Sequence, residues 1–94
     1  MNKVKLYTVV IGELRPYLSR KKRRAQMQAL ELISSQHGFV GIHRVFGRGT
    51  LLLYRTENDA KIARNELISR GCPCGDNICQ AFVDKQYVPD EPPT

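Results

Sequence analysis

The stretch that decides the fold is FVGIHRVFGRGTLLLY, residues 39–54, in the middle of the chain. Two apolar runs rich in β-prone residues, 39–46 and 50–54, flank Gly47-Arg48-Gly49. Because glycine accepts the positive φ that tight hairpin turns require, this stretch predicts two antiparallel strands joined by a short turn.

The residues before the hairpin predict a strand and then a helix. Residues 3–11, KVKLYTVVI, are rich in β-branched side chains and apolar on both faces, as in a central strand. From Pro16 to Gln36 the apolar residues recur with the period of a helix, on one stripe: Leu18, Ala25, Ala29, Leu32 and Ile33. Pro16 suits the first helical position, and Gly38 is a natural stop.

The residues after the hairpin predict a second helix and a last strand. Residues 56–59, TEND, resemble a capping box with Asp in place of Glu or Gln. The helix that follows buries Ala60, Ala63 and Leu67 and ends at Gly71. A connector leads to a strand over 78–86, and the Pro-rich acidic tail, 89–94, is expected to be flexible because it has nothing to bury.

The predicted order is therefore β-α-β-β-α-β. This order is typical of the α+β, ferredoxin-like βαββαβ fold, a four-stranded antiparallel sheet with both helices on one face. A chain of 94 residues suits one hydrophobic core. We expect a single domain over 1–88, followed by the tail.

The net charge of +6 is concentrated at the front of the chain. Residues 1–24 carry eight cations and one acid, whereas residues 72–94 carry one cation and four acids. Such a field attracts nucleic acid, anionic lipid or an acidic protein surface, and charge alone does not separate these. No apolar segment approaches the roughly 18 residues of a membrane span, and no secretory signal is recognisable. These patterns predict a cytoplasmic protein with no membrane partner.

Five consecutive cations, Arg20, Lys21, Lys22, Arg23 and Arg24, are the strongest functional signal. At about 100° per helical residue they cover every side of a helix, so the run must overhang the core or lie partly outside the helix. Cations near a helix N-terminus oppose the macrodipole by about 0.3 to 1 kcal/mol each. Helix stability therefore does not explain them.

Phosphate contact is the preferred interpretation of this run, since its three Arg suit bidentate binding to phosphate. The alternatives are a solvated end that aids solubility, or contact with an acidic protein or a lipid surface. Arg15, together with Lys3 and Lys5, could extend the patch. Arg48 at the hairpin tip could form a second contact point.

Residues 48–54, RGTLLLY, running into 57–61, ENDAK, resemble the RNA-recognition-motif family. In that family a basic residue and Gly precede the third strand, and an acidic-Ala step opens the second helix. Leu6-Tyr7 is similar to its first-strand motif, in which an aromatic ring lies on the open sheet face. The resemblance implies RNA in preference to DNA, and Tyr7 as a stacking ring.

The third strand departs from that family. Thr50, Leu51, Leu52 and Leu53 stand where the family has base-stacking rings, which leaves Tyr7, Phe82 or a second-strand residue to supply a platform. An open face lined with Leu and Val fits a protein partner or a homodimer interface better than stacked bases.

The three cysteines, Cys72, Cys74 and Cys79, form a compact cluster. An odd number argues against a closed disulfide framework. A zinc site would need a fourth ligand from His37, His43 or Asp76, so metal binding is a weaker interpretation than thiols packed near the core. Redox sensitivity of an exposed Cys74 is a further alternative, and no cofactor is expected.

No arrangement typical of catalysis is recognisable, so we expect no enzymatic activity. The preferred function is a small binding protein that contacts nucleic acid or a nucleoprotein complex through the basic patch. The alternative is a protein-interaction factor, such as an anti-CRISPR-like phage or mobile-element inhibitor of a host nucleoprotein complex, or a homodimeric regulator. A redox- or metal-dependent regulator is the third hypothesis.

Overall fold

The computed structural model of the chain describes residues 2–12, 19–45 and 49–88. The elements, in chain order, are β1 Lys3–Ile11, α1 Arg20–Ser35, β2 Phe39–Val45, β3 Gly49–Tyr54, α2 Glu57–Ser69, β4 Cys79–Asp84 and a short 3₁₀ turn Lys85–Tyr87. The predicted α+β order βαββαβ is confirmed. The expectations for Arg15, Leu18, the Gly47-Arg48 step and the tail 89–94 fall outside the described residues.

The four strands form one sheet in the order β2-β3-β1-β4, and each neighbouring pair is antiparallel. β1 is central, as its two apolar faces predicted, since it pairs with both β3 and β4. Tyr7 lies opposite Tyr54 on one side and Gln80 on the other. This split arrangement of the two βαβ halves is that of ferredoxin-like folds.

Both helices pack on the same face of the sheet, as predicted. The core between them and the sheet consists of Val9, Ile11, Ile33, Leu52, Tyr54, Ala60, Ala63 and Leu67. The three residues of α2 in this set are those expected from its periodicity, and each is at most 2% exposed. Neither helix of the described chain is long and apolar enough to cross a membrane.

Local sequence signals fix the ends of the elements. The Thr56 side chain caps α2 by accepting a hydrogen bond from the Asp59 amide at 3.0 Å, as predicted. Gly71 follows the end of α2 with φ at 85°. At the start of β3, Gly49 has φ at 104°, and a Cβ there would lie 2.6 Å from the Ile11 carbonyl oxygen.

The helix α1 starts later than predicted. Its first residue is Arg20, and Ser19 is the N-cap, whose side chain accepts from the Lys22 amide at 3.4 Å. The expected start at Pro16 missed this cap, because serine is a common N-cap but also a common loop residue. All five consecutive cations therefore belong to the helix.

Candidate nucleic-acid interface

The five cations form the first turn and a half of α1, which we call the cationic tip (residues 20–24). Each of them is exposed, and so is Ala25. The first half-buried residue of the helix is Gln26, and the deepest is Ile33, which is 1% exposed. Six exposed residues correspond to about 9 Å of helix. The tip thus projects beyond the core, which is the overhang that the sequence predicted.

The side chains of the tip radiate in different directions. Lys21 lies one turn before Ala25 and two turns before Gln28, and both of these residues line a groove of about 490 Å³ between the two helices. Arg23 lies one turn before Met27, which lines a separate groove at the β2 edge with Phe39. At about 100° per residue, Lys21 and Arg23 point to nearly opposite sides of the helix.

The charge of the tip is uncompensated within the described part of the chain. There the structure contains one ion pair, Lys61 with Glu57 at 3.3 Å, and it lies on α2. The first turn of α2 carries Glu57 and Asp59, as the macrodipole favours, whereas the first turn of α1 carries no acid. The tip therefore presents a free, concentrated positive field.

Lys3 and Lys5, two of the cations predicted to extend the patch, do not lie beside the tip. Lys3 and Lys5 lie at the start of β1, whereas α1 begins at the end of the sheet where β1 finishes. The direction of α1 along the sheet is given by its other end. There Gln36 contacts Tyr54, which is paired with Tyr7 of β1, so α1 runs back from the last residues of β1. Arg15 and Arg48 lie outside the described residues.

The predicted position of Tyr7 is wrong. Its ring packs against the helix-side core and does not lie on the open sheet face. Strand alternation explains this, because Tyr7 shares a face with Val9 and Ile11, and Leu6 takes the opposite face. Lys5 Nζ lies 5.9 Å from the centre of the Tyr7 ring, in reach of a cation-π contact.

The open sheet face is a shallow apolar groove of about 700 Å³. Its central strands contribute Leu6, Leu51 and Leu53, and among the described residues of β1 and β3 no aromatic ring shares this face. Two aromatic side chains border the groove from the β4 side, Phe82 at 62% exposed and Tyr87 at 71% exposed. A stacking platform of the kind found on central strands is therefore missing.

The cysteines do not converge on a metal centre. Cys72 and Cys74 are half-buried against the core, and burial raises the pKa of both thiols. Cys79 lies opposite Thr8 on β1 and is the exposed member, so the expectation that Cys74 is exposed is wrong. Within the described ranges no three Cys, His, Asp or Glu side chains are grouped to hold a metal ion.

Two features were missed by the sequence reasoning. Arg70, near the end of α2, borders the groove between the helices together with Ala25. A helical wheel of α2 would have found it, because Arg70 follows Ala63 by two turns. The second is Asp84, which is half-buried and whose buried Oδ1 has no hydrogen-bond partner among the described residues. No sequence pattern signals that burial.

Comparisons of the chain with protein-family models, with curated proteins and with solved structures found no match. The resemblance of residues 48–54 and 57–61 to the RNA-recognition-motif family thus has no support from a family match.

Proposed function

We propose that this protein is a cytoplasmic, non-enzymatic binding protein that contacts nucleic acid, alone or within a nucleoprotein complex, through the cationic tip. The observation that carries the proposal is the placement of five exposed cations, unpaired among the described residues, on a projecting helix end. A charge run that opposes the macrodipole destabilises its own helix. Binding an anion offsets that destabilisation.

A polyphosphate backbone suits the tip better than isolated carboxylates do. Arg20, Arg23 and Arg24 carry guanidinium groups that bind phosphate oxygens in bidentate fashion, and the two lysines add point charges. If four of the five cations contact phosphates, the slope of log affinity against log salt is about −3 to −4. Contact with a few carboxylates would give a shallower slope.

The test is fluorescence anisotropy with labelled nucleic acids, comparing the wild type with a variant in which all five tip residues are Gln. A matched control variant removes the same number of charges elsewhere, on exposed side chains: Lys3, Lys5, Arg44, Lys61 and Lys85. We expect binding and the salt dependence to be lost in the tip variant and largely retained in the control. Equal loss in both variants, or no loss in the tip variant, would refute the proposal.

A second candidate function is contact with a protein partner through the open sheet face. The observation that favours it is the apolar groove over β1 and β3, lined centrally by Leu6, Leu51 and Leu53. An inhibitor of a host nucleoprotein complex would use both this groove and the tip. Affinity capture with wild type and Leu51→Glu, with and without nuclease, tests it. A defined protein that survives nuclease and is lost with Leu51→Glu supports this function, whereas recovery of bulk nucleic acid alone opposes it.

A further inference from the structure

The cationic tip has dimensions that match one particular nucleic-acid groove. A helix with its side chains is about 10 to 12 Å wide, and the exposed end of α1 is about 9 Å long by the helical rise. The major groove of B-form DNA is about 12 Å wide and about 8.5 Å deep. A helix end of this size can enter the groove end-on.

The distribution of charge around the tip fits the same groove. Lys21 and Arg23 point to nearly opposite sides of α1, towards the inter-helix groove and the β2 edge respectively. A single strand offers one row of phosphates and would engage one side of the helix. The two walls of a duplex groove offer a row on each side, so that both sides of the tip find phosphate partners.

We infer that the tip enters the major groove of B-form duplex DNA, with Lys21 and Arg23 contacting phosphates of opposite strands. This inference rests on the proposed function and narrows its ligand. It departs from the preference for RNA that the sequence resemblance implied, because Tyr7, the stacking ring that the resemblance assigned, does not lie on the open sheet face. The major groove of A-form RNA is too narrow and deep for protein side chains to read, and it does not admit a helix end of this width.

The first experiment uses the wild-type protein and four labelled ligands of equal length: a DNA duplex, an RNA duplex and the single strand of each. We expect the DNA duplex to bind about tenfold more tightly than the other three at moderate salt, since it alone presents two phosphate rows around an accessible groove. Equal or tighter binding of a single strand or of the RNA duplex would overturn the inference.

The second experiment separates geometry from charge with Ala25→Pro. Proline is tolerated at the first position of a helix but not inside one, so α1 would restart at residue 25 and leave all five cations outside the helix. The fold should persist because residues 20–25 are exposed. We expect about tenfold weaker binding to duplex DNA and little change with single strands. Ala25→Ser is the control, and circular dichroism measures the lost helix. Duplex binding by Ala25→Pro at the wild-type level would contradict the inference.

The third experiment uses Lys21→Gln and Arg23→Gln as single variants, which stay informative even if Ala25→Pro fails to fold. Each should reduce the salt slope for duplex DNA by about 0.9, because each removes one phosphate contact. A change in only one of the two variants would mean that the tip binds phosphates on one side only, and would overturn groove entry.

The outcomes separate this inference from the proposed function. If the variant with five Gln still binds nucleic acid, the proposed function itself fails. If that variant loses binding but the wild type shows no preference for the DNA duplex, only this inference fails.

Discussion

The Tyr54 hydroxyl donates a hydrogen bond to Gln36 Oε1 at 2.5 Å, and Gln36 Nε2 donates in turn to the Ala63 carbonyl oxygen at 3.2 Å. The Gln36 side chain, at the end of α1, thereby joins the end of β3 to the middle of α2. Burial, reinforced by the charges of Cys74 and Glu66, raises the pKa of Tyr54 well above its ordinary value of 10.0, so its hydroxyl stays a donor. This chain of bonds fixes the end of α1 opposite the cationic tip.

Replacing Tyr54 by Phe should lower the free energy of unfolding by about 1 to 2 kcal/mol, because Gln36 loses its buried donor. The ring remains packed against Phe39, whose centroid lies 5.8 Å away, so packing changes little. Urea denaturation measures the difference. Tyr87→Phe is the control. Because Tyr87 is 71% exposed, this substitution should change the free energy of unfolding by no more than about 0.5 kcal/mol. Equal effects of the two variants would mean that the bond to Gln36 contributes nothing.

The stability of the fold should fall at alkaline pH. Burial raises the folded-state pKa of Cys72, Cys74 and Tyr54. The stability that the two thiols contribute is therefore fully present below their ordinary pKa of 9.0 and is lost as the pH rises above it, and the contribution of Tyr54 is lost only above its ordinary pKa of 10.0. One group can change the free energy of unfolding by at most about 1.4 kcal/mol per pH unit, and the half-buried Cys72 and Cys74 give less because solvent screens their charge. Urea denaturation between pH 7 and about pH 10.5 checks this. The double variant Cys72→Ala, Cys74→Ala should flatten the slope, and an unchanged slope would assign it to other groups.

Replacing Gly49 by Ala should destabilise the fold by about 2 to 3 kcal/mol. The positive φ of Gly49 disfavours a side chain, and its Cβ would approach the Ile11 carbonyl oxygen to 2.6 Å. Gly41→Ala in β2 is the matched control, because nothing lies within 4 Å of a Cβ there. Thermal denaturation of the two variants makes the comparison, and similar melting temperatures would show that the strand β3 can shift to accept the methyl group.

Replacing Lys22 by Glu should stabilise the protein and weaken nucleic-acid binding at the same time. Ser19 already caps α1 and accepts from the Lys22 amide, so Glu at this position completes a capping box and places an acid in the first turn. The gain should be about 0.5 to 1 kcal/mol in denaturation experiments. Lys22→Gln retains the capping geometry without the negative charge. Tighter binding by Lys22→Glu would contradict the role of the tip.

Much of the fold was predictable because several local signals agreed. The bounds of β1, the Thr56 cap, the buried face of α2 and the glycines at 49 and 71 each follow from side-chain chemistry within a few residues. The order of the helices and strands then favours the split βαβ arrangement, in which the β2-β3 hairpin and the central strand β1 set the pairing of the sheet.

The face of Tyr7 was not predictable from its own strand. β1 is apolar on both faces, so alternation gives no inward direction, and a shift of one residue exchanges the faces. The register with Tyr54 decides it, and that register depends on contacts distant in sequence. The exposed member of the cysteine cluster was missed for the same reason, since Cys79 is placed by its pairing with Thr8.

For the candidate site, the sequence predicted that the five cations overhang the core but not how far they project. The length of the projection depends on where the helix cap falls and on how far the sheet beneath α1 extends. Neither is encoded in the run itself. Ser19 sets the first limit, and Gln26 marks where contact with the rest of the protein begins.

The start of α1 should also open and close independently of the rest of the protein. A ligand bound to the tip can then change the fraction of molecules in which this segment is helical. Its first turn has no buried contact and opposes its own dipole, so its amides are expected to open independently of the core. A bound polyanion selects the closed helical form by mass action. The backbone amides of residues 22–25, the first of which donate to Ser19, should then exchange with solvent deuterium more slowly when the protein is saturated with its ligand, while the exchange of the core strands remains the same.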